Sequence, residues 1–134
     1  MILTRPWSPS ANGYYRHVGH RTLISREGRA FRQNVCALLA GGGHDGFTHG
    51  ERLAMVMDVF PPDRRRRNID NLQKPVIDAV EHAGIYANDN QIDMLITRRC
   101  EVVPAGRILI DVMALPLSLC PLCGHAMPVR MEPQ

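Results

Sequence analysis

Asp70, Lys74 and Asp78 follow one another at i, i+4 spacing, and four consecutive arginines, Arg64 to Arg67, lie shortly before them. On a helical wheel drawn at about 100° per residue, Asp70, Asn71, Lys74, Asp78 and Glu81 share one face, while Leu72, Val76, Ala79, Val80 and Ala83 share the opposite one. Carboxylates beside arginines suit metal-assisted hydrolysis of a phosphodiester. Hard oxygens hold Mg²⁺, cations hold the scissile phosphate, and an activated water attacks. Asp70 stands at the helix entrance, where free backbone N–H groups and the helix dipole favour a carboxylate and a nearby phosphate. Asp89, in the polar turn Ala87-Asn88-Asp89-Asn90, can return to the same end of the domain. The plainer alternative is a ladder of solvated ion pairs, each contributing about 0.3–0.5 kcal/mol.

These residues need elements to position them. Pro75 lacks the N–H that would bond to Asn71, so Asp70 to Lys74 is expected to form a tight turn ahead of a regular helix that Gly84 closes. Upstream, Ser25 is a fitting N-cap for a helix carrying Phe31, Val35, Leu38 and Leu39, which Gly41-Gly42-Gly43 stops. Arg52 to Phe60 is largely apolar and ends at Pro61-Pro62, as a buried strand does. Met1 to Leu23 reads as a strand leading into an ordered loop. Two further strands, Gln91 to Val103 and Arg107 to Leu115, are joined by Pro104-Ala105-Gly106, which predicts a hairpin. The order strand, helix, strand, helix, strand, strand predicts an α+β domain over residues 1–115, with a mixed sheet of about four strands and two helices packed on one face. Residues 116–134 form a tail of different composition.

The chain's 134 residues, 45% of them apolar, suffice for one core and not for two. No uncharged apolar run reaches the roughly 18 residues of a membrane-spanning helix, which excludes that class. The start, MILTRPWSPS, lacks the features of a secretory signal, so a cytoplasmic location is expected. The net charge is only +3, yet Lys74 is the single lysine among 16 cations. Arginine's planar fork suits phosphate and a lone lysine fits a special task, although biased codon usage gives the same split. Cys36, Cys100, Cys120 and Cys123 are expected to stay reduced or to bind metal. Cys120-Pro-Leu-Cys123-Gly has the form of half a zinc ribbon, which could grip Zn²⁺ with His125, Cys100 or the same pair from a second copy; reduced thiols in an unstructured tail fit as well.

The sequence resembles the RusA family of Holliday junction resolvases. The resemblance is carried by PWSPSANGYYRH (Pro6 to His17), by Arg21, Ser25, Glu27 and Gly28, by PDRRRRNIDNLQK (Pro62 to Lys74), and by NDNQ (Asn88 to Gln91). It implies a homodimer that binds four-way DNA junctions and, with Mg²⁺ or with Mn²⁺ in its place, nicks two symmetric strands. A two-fold protein matches a substrate with two equivalent scissile strands. The family's three metal-binding aspartates fall at Asn68, Asp70 and Asp89, and its essential lysine at Lys74. Asn68 departs from the family pattern, because an amide oxygen ligates Mg²⁺ without bringing charge. The resemblance therefore leaves two readings, a working nuclease and a junction-binding protein weakened or inactive in catalysis. Arg64, Arg65, Arg66 and Arg67 would clamp phosphates, with Asn71 beside them on the DNA side. Tyr14, Tyr15, Arg16 and His17 interleave rings and cations as unstacked bases require, although core packing explains the aromatic pair equally well.

Overall fold

The computed structural model describes residues 2–115 and 122–124. In chain order the elements are β1 (Ile2–Pro6), α1 (Ala11–Tyr14), β2 (Tyr15–Val18), β3 (Arg21–Ile24), α2 (Arg26–Ala40), β4 (Leu53–Phe60), α3 (Asp70–His82), a 3₁₀ turn (Asp89–Gln91), β5 (Ile92–Arg99) and β6 (Arg107–Ala114). The main sheet runs β1-β6-β4-β5, with β4 and β5 parallel and the other pairs antiparallel. This is the expected α+β arrangement with a mixed four-stranded sheet.

Side-chain alternation sets the inner face. Leu53, Met55, Met57 and Val59 of β4 and Ile108, Ile110 and Val112 of β6 point into one core. Against them lie Phe31, Val35 and Leu39 of α2 and Leu72, Val76, Ala79 and Val80 of α3, so both long helices cover the same face. Ala54 and Val56, on the outer face, are buried as well, which is why β4 reads as an unbroken apolar run. Among the described residues no helix is long and apolar enough to cross a membrane.

Three sequence expectations need correction. The segment Pro104-Ala105-Gly106 does not close a hairpin, because β5 and β6 flank β4 on opposite sides. β4 is the strand buried on both faces and takes the centre; residues 100–106 pass across its end, where the Cys100 and Val103 N–H groups donate to the Val59 and Pro61 carbonyls (2.9 and 3.0 Å). The expected loop before Leu23 contains α1 and the β2–β3 hairpin, turned by Gly19 at φ +60°. Asp70 to Lys74 is regular helix, since Pro75 removes one bond within the first two turns and leaves the rest of α3 intact.

Ser25 caps α2 as expected: its Oγ accepts from Gly28 N (2.9 Å) and donates to the Gly13 carbonyl (2.5 Å). Gly28 is where α1 and α2 meet, and a Cβ there would lie 2.6 Å from the Tyr14 carbonyl oxygen and 2.8 Å from Ile24 Cγ2. Gly28→Ala is expected to cost about 1–3 kcal/mol through overpacking, more than the roughly 1 kcal/mol of helix propensity it gains. A thermal melt reads this as a lowered Tm; an unchanged Tm would contradict the tight α1–α2 contact.

Candidate metal and phosphate site

Asp89 reaches α3 because its turn is held from both sides. Gln91, 2% exposed, accepts from the Ala87 and Asn88 N–H groups (3.0 and 3.2 Å) and donates to the Thr48 and Glu51 carbonyls (2.8 and 3.0 Å). All the bonding capacity of its amide is used in fixing the turn. Asp89 N donates to Glu81 (2.8 Å), and the buried Tyr86 hydroxyl donates to the Ile77 carbonyl (2.7 Å). Both contacts tie the turn to α3.

Lys74 is where these elements converge. Its Nζ lies 2.8 Å from Asp78 and 2.7 Å from Asp89, so the cation is shared between two carboxylates. Hydrogen bonds to Asp78 first and Asp89 second raise its pKa far above the ordinary lysine value, and its charge is fixed at any working pH. Tyr15 donates its hydroxyl to Asp78, joining the root of the β2–β3 hairpin to the same network. Burial, then that bond, pushes the Tyr15 hydroxyl up as well. The neighbouring Tyr14 is wholly buried, accepts from Arg32 (2.6 Å) and packs edge-on against Tyr15 with ring centres 4.8 Å apart. Tyr14 is thus a core residue, whereas Arg16 and His17 stand exposed on β2.

Asp70 opens α3 and is exposed, with no side-chain cap at Ile69 competing for the free N–H groups of the first turn. Asn68 is exposed two residues earlier, and Asn71 is half-buried beside it. Among the described residues no group of three or more His, Cys, Asp or Glu is arranged to hold a metal. The donors expected from the sequence, Asp70, Asp89 and the Asn68 amide, are all oxygen. They fit Mg²⁺, which commonly keeps several waters and takes only one or two protein carboxylates beside substrate phosphate.

The four arginines divide into two kinds. Arg67 forms a bidentate pair with Asp63 (2.6 and 3.0 Å), lies over the Trp7 ring at 5.7 Å, and receives a hydrogen bond from Arg99 on its carbonyl. Arg65 N also donates to Asp63 (2.9 Å), and these bonds, Arg67's foremost, lower the Asp63 pKa to about 2. Arg67 is therefore part of an internal clasp that shapes the loop. Arg64, Arg65 and Arg66 are exposed, and of these only Arg65 has an ionic partner among the described residues, at 3.8 Å from Asp63. Asp63, Trp7 and Gln91 carry structural duties that residue type and spacing alone did not assign. Cys123 is exposed; Cys120 lies outside the described residues.

Residues 6–113 match the family model described as "Endodeoxyribonuclease RusA". The crossover junction endodeoxyribonuclease of Enterobacteria phage 82 is 40% identical over 107 residues, covering 79% of this chain and 88% of that protein. Its counterpart in Escherichia coli strain K12 is 38% identical over the same coverage, and that of E. coli O139:H28 is 34% identical over 84% of this chain and 93% of its own length. The matched span contains the arginine loop, all of α3 and the Asp89 turn. With the match extending over most of both partners, the chain belongs to the RusA endodeoxyribonuclease family.

Proposed function

We propose that this chain is a Mg²⁺-dependent endodeoxyribonuclease that acts as a homodimer on four-way DNA junctions and resolves them by paired symmetric nicks. The observation that carries the reading is the position of Lys74 between Asp78 and Asp89, one turn along α3 from Asp70, with the exposed arginines in the loop that precedes α3. Asp70, Asp89 and the Asn68 amide would hold the ion. When bound, Mg²⁺ or Mn²⁺ supplies positive charge to the phosphate and activates a water for attack. Asp78, which itself accepts from Tyr15, holds the Lys74 ammonium, so that it is already oriented when a phosphate arrives and can donate to oxygens that gain charge. Arg64, Arg65 and Arg66 grip the backbone, with Arg16 on the hairpin beyond Tyr15. The relatives' names, as crossover junction endodeoxyribonucleases, support the choice of branched DNA.

A second reading, a junction-binding protein with little or no catalysis, is favoured by one specific residue. Asn68 brings an uncharged oxygen to a position where the family pattern has an aspartate.

Junction and linear duplex competing for the protein in EDTA test the binding half of the proposal. A preference for the junction is expected; equal affinity would overturn it. In the same assay the double variant Arg64→Ala/Arg66→Ala is expected to weaken binding and to flatten the plot of log K against log salt by about 1–2. An unchanged slope would remove these residues from the phosphate contacts.

A further inference from the structure

Resting on the reading above, we propose that the recess behind Trp7 is a binding site for one unstacked nucleobase of the strand to be cut, with Trp7 as its stacking wall and Asn71 reading its edge. The recess has a volume of about 450 Å³ and lies between the segment Trp7 to Ser10 and the start of α3. Trp7, Pro9 and Leu72 give it apolar lining, Ser8 and Ser10 add hydroxyls, and Asn68, Asn71 and the exposed Arg66 give it amide and cationic lining. A flat aromatic ring, an amide and a cation lining one recess are the chemistry of a base attached to its phosphate. The size lies at the lower end of small-ligand pockets, enough for a single nucleoside.

Trp7 is held as a fixed platform. The Arg67 guanidinium covers its ring at 5.7 Å, Asp63 locks that guanidinium, and Gly106 comes so close that a Cβ there would lie 3.0 Å from Trp7 Cε3. Gly106 sits at φ +65°, so both its conformation and its lack of a side chain leave room for the indole. A rigid aromatic wall loses little entropy when a base stacks on it. The placement beside the chemistry follows from sequence: Asn68 and Asn71 flank Asp70 on either side. A base in the recess therefore belongs to a nucleotide at or next to the scissile phosphate. Crossover strands of a junction offer such bases at low unstacking cost, and a flipped base is read through its exposed edge. The Asn71 amide, donor and acceptor together, gives the site a base preference.

The test is a set of four-way junctions with one abasic nucleotide stepped through the positions around the crossover, bound in EDTA. One position, within about two nucleotides of the cut, is expected to weaken binding by about tenfold. Trp7→Leu, checked for an unchanged circular dichroism spectrum, is expected to lose a similar factor on the intact junction and nothing more on the sensitive abasic one. Asn71→Ala is expected to reduce the spread of affinities among the four bases at that position to within about twofold. A flat abasic scan with the junction preference intact would overturn the base site alone, as would losses from Trp7→Leu and the abasic position that simply multiply. Loss of the junction preference itself would overturn both this site and the function it rests on.

Discussion

Asp89→Asn is expected to lower junction cutting by about 10³-fold or more in Mg²⁺, while junction affinity in EDTA stays within about threefold. The substitution keeps the shape of the side chain and removes its charge, so the turn held by Gln91 and Tyr86 persists. Two things are lost together. An oxygen that carries full negative charge leaves the proposed ion site, and Lys74 keeps only Asp78 of its two partners. Losses in supporting shells already cost about 10–100-fold, and a direct ligand costs more. Cleavage of an end-labelled junction, with a gel-shift titration of the same sample, separates the two effects. Normal cutting by the variant would remove Asp89 from the ion site.

Asn68→Asp is expected to raise Mg²⁺-dependent cutting by about 10–100-fold. Asn68 is exposed two residues before the helix that Asp70 opens, so a carboxylate fits there without a cavity or a clash. The change adds a third anionic oxygen to a donor set with two, which strengthens the hold on a hard divalent ion. The rate of cutting against Mg²⁺ concentration reads the effect, and half-saturation is expected to fall along with the rise in rate. A variant no faster than the parent at any Mg²⁺ concentration would show that Asn68 is not at the ion site. This result also sorts the two functional readings, because a parent that binds junctions and gains cutting only as Asn68→Asp is a binder by its natural residue.

Local signals in the sequence were strong where a single element carries its own instructions. Ser25 followed by apolar residues at helical spacing gives α2 with the expected cap, and the run from Arg52 to Phe60 gives the central strand. Lys74 and Asp89, fifteen residues apart, carry residue types that suit one polar site, and they form an ion pair at 2.7 Å. What the sequence hid are choices made between distant segments. Pro104-Ala105-Gly106 has the composition of a hairpin turn, and the apolar run of β4 marks it as buried, yet no local pattern records that β5 and β6 pair with its opposite edges. The four arginines look equivalent as letters. Only the folded loop distinguishes Arg67, neutralised by Asp63 and stacked on Trp7, from Arg64 and Arg66 in solvent. The interleaved Tyr14, Tyr15 and Arg16 look like one group in the sequence as well, and only the fold separates the buried Tyr14 from Tyr15, which bonds Asp78, and from the exposed Arg16.

The measurement that bears most directly on the whole account is strand mapping on a four-way junction labelled on each strand in turn, with a linear duplex of the same sequence as control, in Mg²⁺ at low salt. The account predicts nicks at matching positions on two opposite strands of the junction, dependence on the divalent ion, and an uncut duplex. Equal cutting of junction and duplex, or neither cutting nor junction binding by both the parent and Asn68→Asp, would contradict it.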